Sequence, residues 1–374
     1  MQRTIKLLLQ KNDSVLNTLR INTQIYQEIA DAGFTKKTFN KSKLHQVTYK
    51  KIRKKYPDFP SALLQTVRDV ASEALKRTNL KKVIRPRNFS ALRYDKRTIR
   101  INLKENFVTL SSIDGRQKIK FQPNKHSVKY LDWKPIAATL SHKNGNLFLN
   151  IVVEKEAPHK VIAYEPEILG IDRGIKNILV CSNNQFFNSK HLRKVKGKYQ
   201  HLRQVLQSKG TASARKKLKE TSGRERRFVT DTNHLLSKRI AESGFKVFVL
   251  EKLSGIRRPK KEEYKGKKFN RNIGNWSFGQ FEKFLKYKAE ALGKSVVPVN
   301  PRSTSKKCSQ CGHTDIKNRK GTKFKCTKCR FELHADLNAS RNIAMLGRTE
   351  YGRLPVNPPD VTAEMSVTSL PFQR

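Results

Sequence analysis

Four of the five cysteines lie within 22 residues, as Cys308-x-x-Cys311 and Cys326-x-x-Cys329 separated by fourteen residues, and no other feature limits the local fold as tightly. Each pair forms a knuckle that turns two thiolates toward one point, and two knuckles at this separation supply the four sulfurs of a tetrahedral zinc ion. Gly312 frees the turn after the first knuckle, while Lys306, Lys307, Lys325 and Lys328 offset the thiolate charge. Four thiolates close the coordination shell, so the zinc is expected to be structural rather than catalytic. Four buried free thiols do not account for two such pairs in a hydrophilic segment. His313 and His334 are read as bystanders, and the isolated Cys181, which ends the apolar run from Ile178, as a small buried hydrophobe.

The chain is also strongly basic. Over 374 residues, 80 Lys+Arg stand against 30 Asp+Glu, a net charge of +50 that repels itself unless a polyanion neutralises it. Nucleic acid is the expected partner. The charge is spread along the sequence rather than gathered on one amphipathic helix, which argues against a membrane-surface protein. No apolar run approaches the roughly 20 residues of a bilayer span, and Met1 to Gln10 lacks a secretory apolar core, so the protein is read as intracellular. At this length two or three modules are expected.

Periodicity divides the chain. Thr4 to Leu9 reads as a strand, and Asp13 and Ser14 offer caps to a helix carrying Val15, Leu19, Tyr26 and Ile29, closed by Gly33. Pro60 and Ser61 open a second helix with Leu63, Leu64, Val67, Val70, Ala74 and Leu75 at three-and-four spacing. The Lys-rich segment from Lys36 to Lys55 between them is read as a phosphate-contacting insert, with a solvated helical face as the alternative. From about Arg85 to Glu154 the period is two, with Asp114-Gly115 and Asn144-Gly145 as turns, which predicts a small β-barrel or sandwich. Beyond Pro166 come strands Ile168 to Asp172, Asn177 to Ser182 and Gln185 to Phe187, a long basic helical stretch, and a strand from Phe245 to Glu251, a mixed α/β pattern. The prolines and cancelling charges from Tyr351 to Arg374 predict a disordered tail.

Three carboxylates carry the chemistry. Asp172 ends one apolar strand, and Glu251 ends another, after Val247, Phe248, Val249 and Leu250. A carboxylate buried there is costly unless a cation reverses its preference. Asp336 follows the cysteine knuckles, and Leu337, Ile343 and Ala344 predict a small helix facing the sheet. Three acids gathered at strand and helix ends hold two Mg²⁺ ions about 4 Å apart and serve phosphodiester hydrolysis. Singly, each has a plainer reading: Asp172 as a turn cap, Glu251 as the partner of Arg257, Asp336 as a helix N-cap.

At these residues the chain resembles TnpB, the transposon-encoded RuvC-like nuclease family related to the type V CRISPR effectors. The resemblance is sharpest at Gly170 to Asn177, Val247 to Leu253, Pro301 to Gly312 and Ala335 to Ile343. Trp276 to Gly293 resembles the helix before the zinc ribbon, with Trp276, Phe281, Leu285, Tyr287 and Leu292 as framework. Arg227, Asp231, His234 and Ser237 resemble a motif on the helix before the second acid, where His234 is expected to support the fold or touch nucleic acid.

The resemblance implies a multidomain α+β chain. A wedge β-barrel (residues 1–10 and 82–164) is interrupted by a helical recognition insert (11–81). An RNase H-like RuvC α/β domain (165–302 and 333–348) follows, with an inserted zinc ribbon that binds target nucleic acid (303–332), and a tail from 349 to 374. It implies an RNA-guided DNA endonuclease cutting beside a short adjacent motif, with Asp172, Glu251 and Asp336 catalytic and holding Mg²⁺, and Cys308, Cys311, Cys326 and Cys329 holding Zn²⁺. The implied partners are a guide RNA, target double-stranded DNA and the displaced strand, with one protein per RNA and a prokaryotic cytoplasmic location. The alternative is a guide-RNA-dependent DNA-binding repressor that does not cleave; a transposase joining DNA ends by itself lacks support in the RuvC motifs.

Overall fold

The structure, a computed structural model, describes residues 1–86, 88–158, 167–253 and 277–352. It separates into two compact units, 1–156 and 157–374.

In the first unit, β1 (Gln2–Leu9) is followed by helices α1 (Asp13–Thr35), α2 (Lys41–Lys55) and α3 (Ser61–Thr78). Then come β2 (Leu92–Tyr94), β3 (Ile99–Asn102), β4 (Phe107–Ser112), β5 (Gly115–Gln122), β6 (Lys134–Lys143) and β7 (Asn146–Glu154). The seven strands form one sheet in the order β2-β6-β7-β1-β5-β4-β3. Its end strands are joined by a short turn, and the Tyr94 hydroxyl of β2 donates to the Ser111 carbonyl of β4 at 3.2 Å, so the sheet curls almost closed. Alternation sets the register: Ile5 and Leu7 of β1 lie opposite Ile151 and Leu149 of β7, all four fully buried, each contributing about 1.5–3 kcal/mol by leaving water. The turns fall at Asn144-Gly145, both with positive φ, and at Gly115, φ +87°.

Two local expectations are corrected. The cap of α1 is Asn12, whose side chain accepts from the Val15 amide, rather than Asp13 or Ser14. Gly33 does not close α1, which runs on to Thr35; a Cβ there would meet Leu75 Cδ1 at 2.5 Å and Leu44 Cδ2 at 2.9 Å, so the glycine serves the close approach of α1 to α2 and α3. The Lys-rich segment becomes α2, which buries Leu44, Thr48 and Ile52 and leaves most of its lysines in solvent.

The second unit opens with β8 (Ile168–Arg173), β9 (Asn177–Cys181) and β10 (Phe186–Asn188). The basic stretch then forms three helices, α4 (Lys190–Lys209), α5 (Ala212–Thr221) and α6 (Arg224–Ala241), before β11 (Val247–Glu251). After the undescribed residues 254–276 come α7 (Phe278–Ala291) and β12 (Ser295–Val299). The sheet order is β10-β9-β8-β11-β12, antiparallel through β10, β9 and β8 and parallel from β8 through β11 to β12. Three short strands, β13 (Arg319–Lys320), β14 (Lys323–Lys325) and β15 (Glu332–His334), form the cysteine module. Helix α8 (Ala335–Gly352) follows β15 with no intervening loop.

Leu169, Ile171, Phe248 and Leu250 pack with residues of α6 and α7 on one face of the sheet, and Val247, Val249, Val297 and Val299 pack with Ile343 of α8 on the other. The expected small helix is thus 18 residues long, and residues 349–352 belong to it rather than to the tail. The rest of the tail, together with Trp276 and Arg257, lies outside the described residues. Leu292 is 48 % exposed at the end of α7 rather than in the core, whereas Phe281 and Leu285 are buried. No helix among the described residues is long and apolar enough to cross a membrane.

Candidate active site

Strands β8 and β11 run parallel with Leu250 opposite Ile171, which brings the acids that follow, Asp172 and Glu251, side by side. Alternation decides where they point. Gly170 lies beneath α8, as do Val247 and Val249, so Asp172 and Glu251, each two residues further on, face the same side. Asp336 arrives from the first turn of α8. The helix seats this low because two glycines make room: a Cβ on Gly170 would stand 2.1 Å from the Ser340 carbonyl oxygen, and one on Gly347 would stand 2.2 Å from Val249 Cγ2.

The three acids line one cavity of ≈ 500 Å³ together with Lys176, Thr304 and Arg319. Burial first, then the charges of Glu251 and Asp336, push the Asp172 carboxyl up to about 7. Burial also raises Glu251, opposed by the Thr304 hydroxyl, which donates to its Oε1 at 2.5 Å, and by the charges of Arg173 and Arg319. Asp336 does not cap α8. Its Oδ1 accepts from Arg319 Nη2 at 2.9 Å and its Oδ2 from Asn177 Nδ2 at 3.3 Å. Arg319 also lowers the pKa of Asp172 and Glu251 by its charge, so one guanidinium from the cysteine module acts on all three acids. The carboxylates line the cavity without meeting: among the described residues, the four cysteines are the one group of three or more His, Cys, Asp or Glu whose ligand atoms all lie within 4.8 Å of one another.

In that group Cys308 Sγ is 3.7 Å from Cys329 Sγ, and Cys311 Sγ is 3.6 Å from Cys326 Sγ. Four sulfurs held about 2.3 Å from a tetrahedral zinc stand roughly 3.8 Å apart, so the set fits zinc. His313 bonds Thr327 at 3.0 Å, and His334 stacks edge-on against Phe186; neither joins the group. Two buried asparagines of α8 fasten the module to the helix that carries Asp336. Asn338 accepts from the Ser309 amide at 2.9 Å and donates to the Lys307 carbonyl at 2.8 Å; Asn342 donates to the carbonyls of Thr304 and Lys307 at 2.8 and 2.6 Å.

Sequence reasoning singled out the acids and cysteines but gave no role to Arg173, Asn177, Thr304, Arg319, Asn338 or Asn342. Asn338 and Asn342 carried a legible signal, since asparagines four apart inside a helix are poor helix formers and share a face. His234 lies flat against Phe284, with ring centroids 3.8 Å apart, and its carbonyl accepts from Lys288 at 2.6 Å, so it joins α6 to α7. Cys181 is fully buried, and burial pushes its thiol up to about 12.

An acid-lined α/β sheet bearing a four-thiolate module defines the class. A family model described as "Probable transposase" (OrfB_IS605) matches residues 150–255, which contain Asp172 and Glu251, and one described as "Cas12f1-like, TNB domain" matches residues 278–343, which contain the cysteines and Asp336. The CRISPR-associated endodeoxyribonuclease Cas12f1 of Sulfoacidibacillus thermotolerans is 37 % identical over 123 residues, 32 % of this chain and 27 % of its own length. The TnpB-like protein MJ0751 of Methanocaldococcus jannaschii is 34 % identical over 129 residues, 34 % of this chain and 45 % of its own. The matched stretches thus span less than half of these relatives. A solved Cas12f1–sgRNA–target DNA complex shares the fold at 16 % identity and TM-score 0.56, covering 92 % of this chain and 98 % of that one. Over these stretches the chain is similar to TnpB-like proteins and to Cas12f1 endodeoxyribonucleases.

Proposed function

We propose that the protein is an RNA-guided DNA endonuclease that hydrolyses phosphodiester bonds at Asp172, Glu251 and Asp336. The observation that carries this reading is the convergence of three acids, from segments more than 80 residues apart at the widest step, on one cavity where burial and mutual repulsion hold Asp172 up to about 7. Such a charge arrangement is unfavourable by itself and is relieved by divalent cations. Mg²⁺ bound there would be held by these carboxylates and would supply an activated water and charge stabilisation at the departing oxygen.

The chain's own groups have distinct parts. Thr304 orients Glu251 by its hydrogen bond, and Asn177 orients Asp336. Arg319, on the cysteine module, stands where a guanidinium can balance charge on the scissile phosphate. The sheet order, an antiparallel meander running into parallel strands, supports an RNase H-like reading of the second unit, and the cysteine module is read as a zinc ribbon contacting the target. The near-closed sheet with its helical insert is read as the wedge and recognition region. With +50 of charge the chain grips the backbones of guide, target and displaced strand while base pairing selects the sequence, in a prokaryotic cytoplasm.

The test is to purify the protein with RNA from its own locus and supply Mg²⁺ and a matching plasmid with a randomised flank. Asp172→Ala is run alongside. Guide-dependent cleavage that disappears in the variant is expected. Cleavage that survives the substitution defeats the assignment, and tight guided binding without cleavage points instead to a repressor.

A further inference from the structure

Arg173, next to Asp172, points the opposite way. Alternation carries it through to the α7 face of the sheet, where its side chain is 1 % exposed. There Nη1 donates to the Phe278 carbonyl at 3.2 Å and to Glu282 Oε2 at 3.1 Å, and Nη2 donates to the Glu251 carbonyl. Glu282 is itself held by Lys286 at 2.9 Å. Burying a guanidinium this deeply is unfavourable unless its fork is used, and here both terminal nitrogens are.

The position of Glu251 explains what the fork does. On one side, β11 pairs with β12 through Glu251 itself, opposite Val299, and the Lys252 amide continues to the Val299 carbonyl at 2.8 Å. On the other side, the pairing with β8 stops one residue earlier, at Leu250 opposite Ile171. The Glu251 carbonyl is therefore left without a backbone partner from β8, and the Arg173 side chain takes that place. The same guanidinium grips the first residues of α7, so the end of β11 is fixed against both β8 and α7.

We propose that Arg173 is a positioning residue for the acid site: by bonding the Glu251 carbonyl to the start of α7 from behind the sheet, it fixes where the Glu251 carboxylate stands beside Asp172. This rests on the nuclease reading of the acids, but not on the identity of guide or target. Lysine keeps the charge yet cannot supply parallel donors to acceptors on two elements. Glu282→Gln weakens the grip on α7 and leaves the bond to Glu251.

The experiment compares wild type, Arg173→Gln, Arg173→Lys and Glu282→Gln, each as the protein–guide complex. Three quantities are read: Mn²⁺ binding by calorimetry, single-turnover cleavage against Mg²⁺ concentration, and guided DNA binding in a chelator together with the melting temperature. Arg173→Gln is expected to weaken Mn²⁺ binding several-fold and slow cleavage by about 10- to 100-fold, with DNA binding unchanged. Arg173→Lys recovers part of the loss, and Glu282→Gln loses least.

Wild-type Mn²⁺ affinity in Arg173→Gln overturns the proposal. So does a loss of cleavage that only tracks DNA binding and melting temperature, with Arg173→Lys no better than Arg173→Gln. If Arg173→Gln does not fold, the lysine and Glu282 variants decide by the same metal titration. Failure of the wild type to cleave would count against the nuclease reading, while Mn²⁺ binding would still decide the role of Arg173.

Discussion

In an unfolded chain the Asp172 carboxyl titrates near 3.8, and in the folded, metal-free protein it holds its proton to about 7. Between those values the folded state binds more protons than the unfolded one, so this group's contribution to stability is full below about pH 4 and is lost as pH rises through 7. Without divalent metal the melting temperature is expected to fall from about pH 5 to about pH 8. Asp172→Asn should flatten that fall and melt several degrees higher at the alkaline end, while Mg²⁺ should recover stability in the wild type alone. Scanning fluorimetry reads both, and an identical pH slope in the asparagine variant would contradict the charge arrangement described above. The acids were legible in the sequence because an ionisable residue at the end of an apolar strand stands out against its neighbours. Arg319 was not, since one arginine among 80 basic residues carries no signal until the fold puts it beside Asp336.

At the scale of elements, α8 decides the site, because it brings Asp336 down onto the sheet through Gly170 and Gly347. Gly170→Ala drives a methyl into the helix backbone at Ser340 and Ala344, which cannot move aside as a flexible side chain can. The substitution is expected to cost about 1–3 kcal/mol and to abolish cleavage by lifting Asp336. Gly115→Ala is the control: nothing lies within 4 Å of the added carbon, so only its φ of +87° is penalised, about 1–2 kcal/mol, and cleavage should persist. Denaturant unfolding and a cleavage assay check the pair; a cleaving Gly170→Ala enzyme would show that the helix is free to lift. The sheet of the first unit was legible from period two and the turn glycines, and β8, β9 and β11 from their apolar runs, whereas the short strands β13 to β15 were not read. β12 was missed because Ser295 to Val299 is short and contains Pro298, which a central strand excludes and this edge strand tolerates. The length of α8 was missed because its asparagines and serine look like loop chemistry until the sheet and the cysteine module satisfy them.

Over the whole molecule the net charge of +50 sets the conditions of use. Affinity for guide RNA and DNA is expected to fall by roughly 10³-fold or more between about 50 and 200 mM salt. Fluorescence anisotropy across a salt series measures it, and a flat profile would mean that few backbone charges are engaged. The sequence changes period near residue 165, and the compact units part at residue 156. Which basic residues meet which strand was not legible, because a uniformly cationic sequence offers no contrast. The first unit has one more consequence, for its birth on the ribosome. β1 sits in the middle of its sheet, yet its main partner β7 begins at residue 146, with Leu9 opposite Leu147 and Gln2 opposite Glu154. At roughly 5–20 residues per second, Leu9 waits about 7–30 s for Leu147 to be synthesised. The three helices between them leave the ribosome well before β7, so they have time to pack on one another before the sheet around β1 can close.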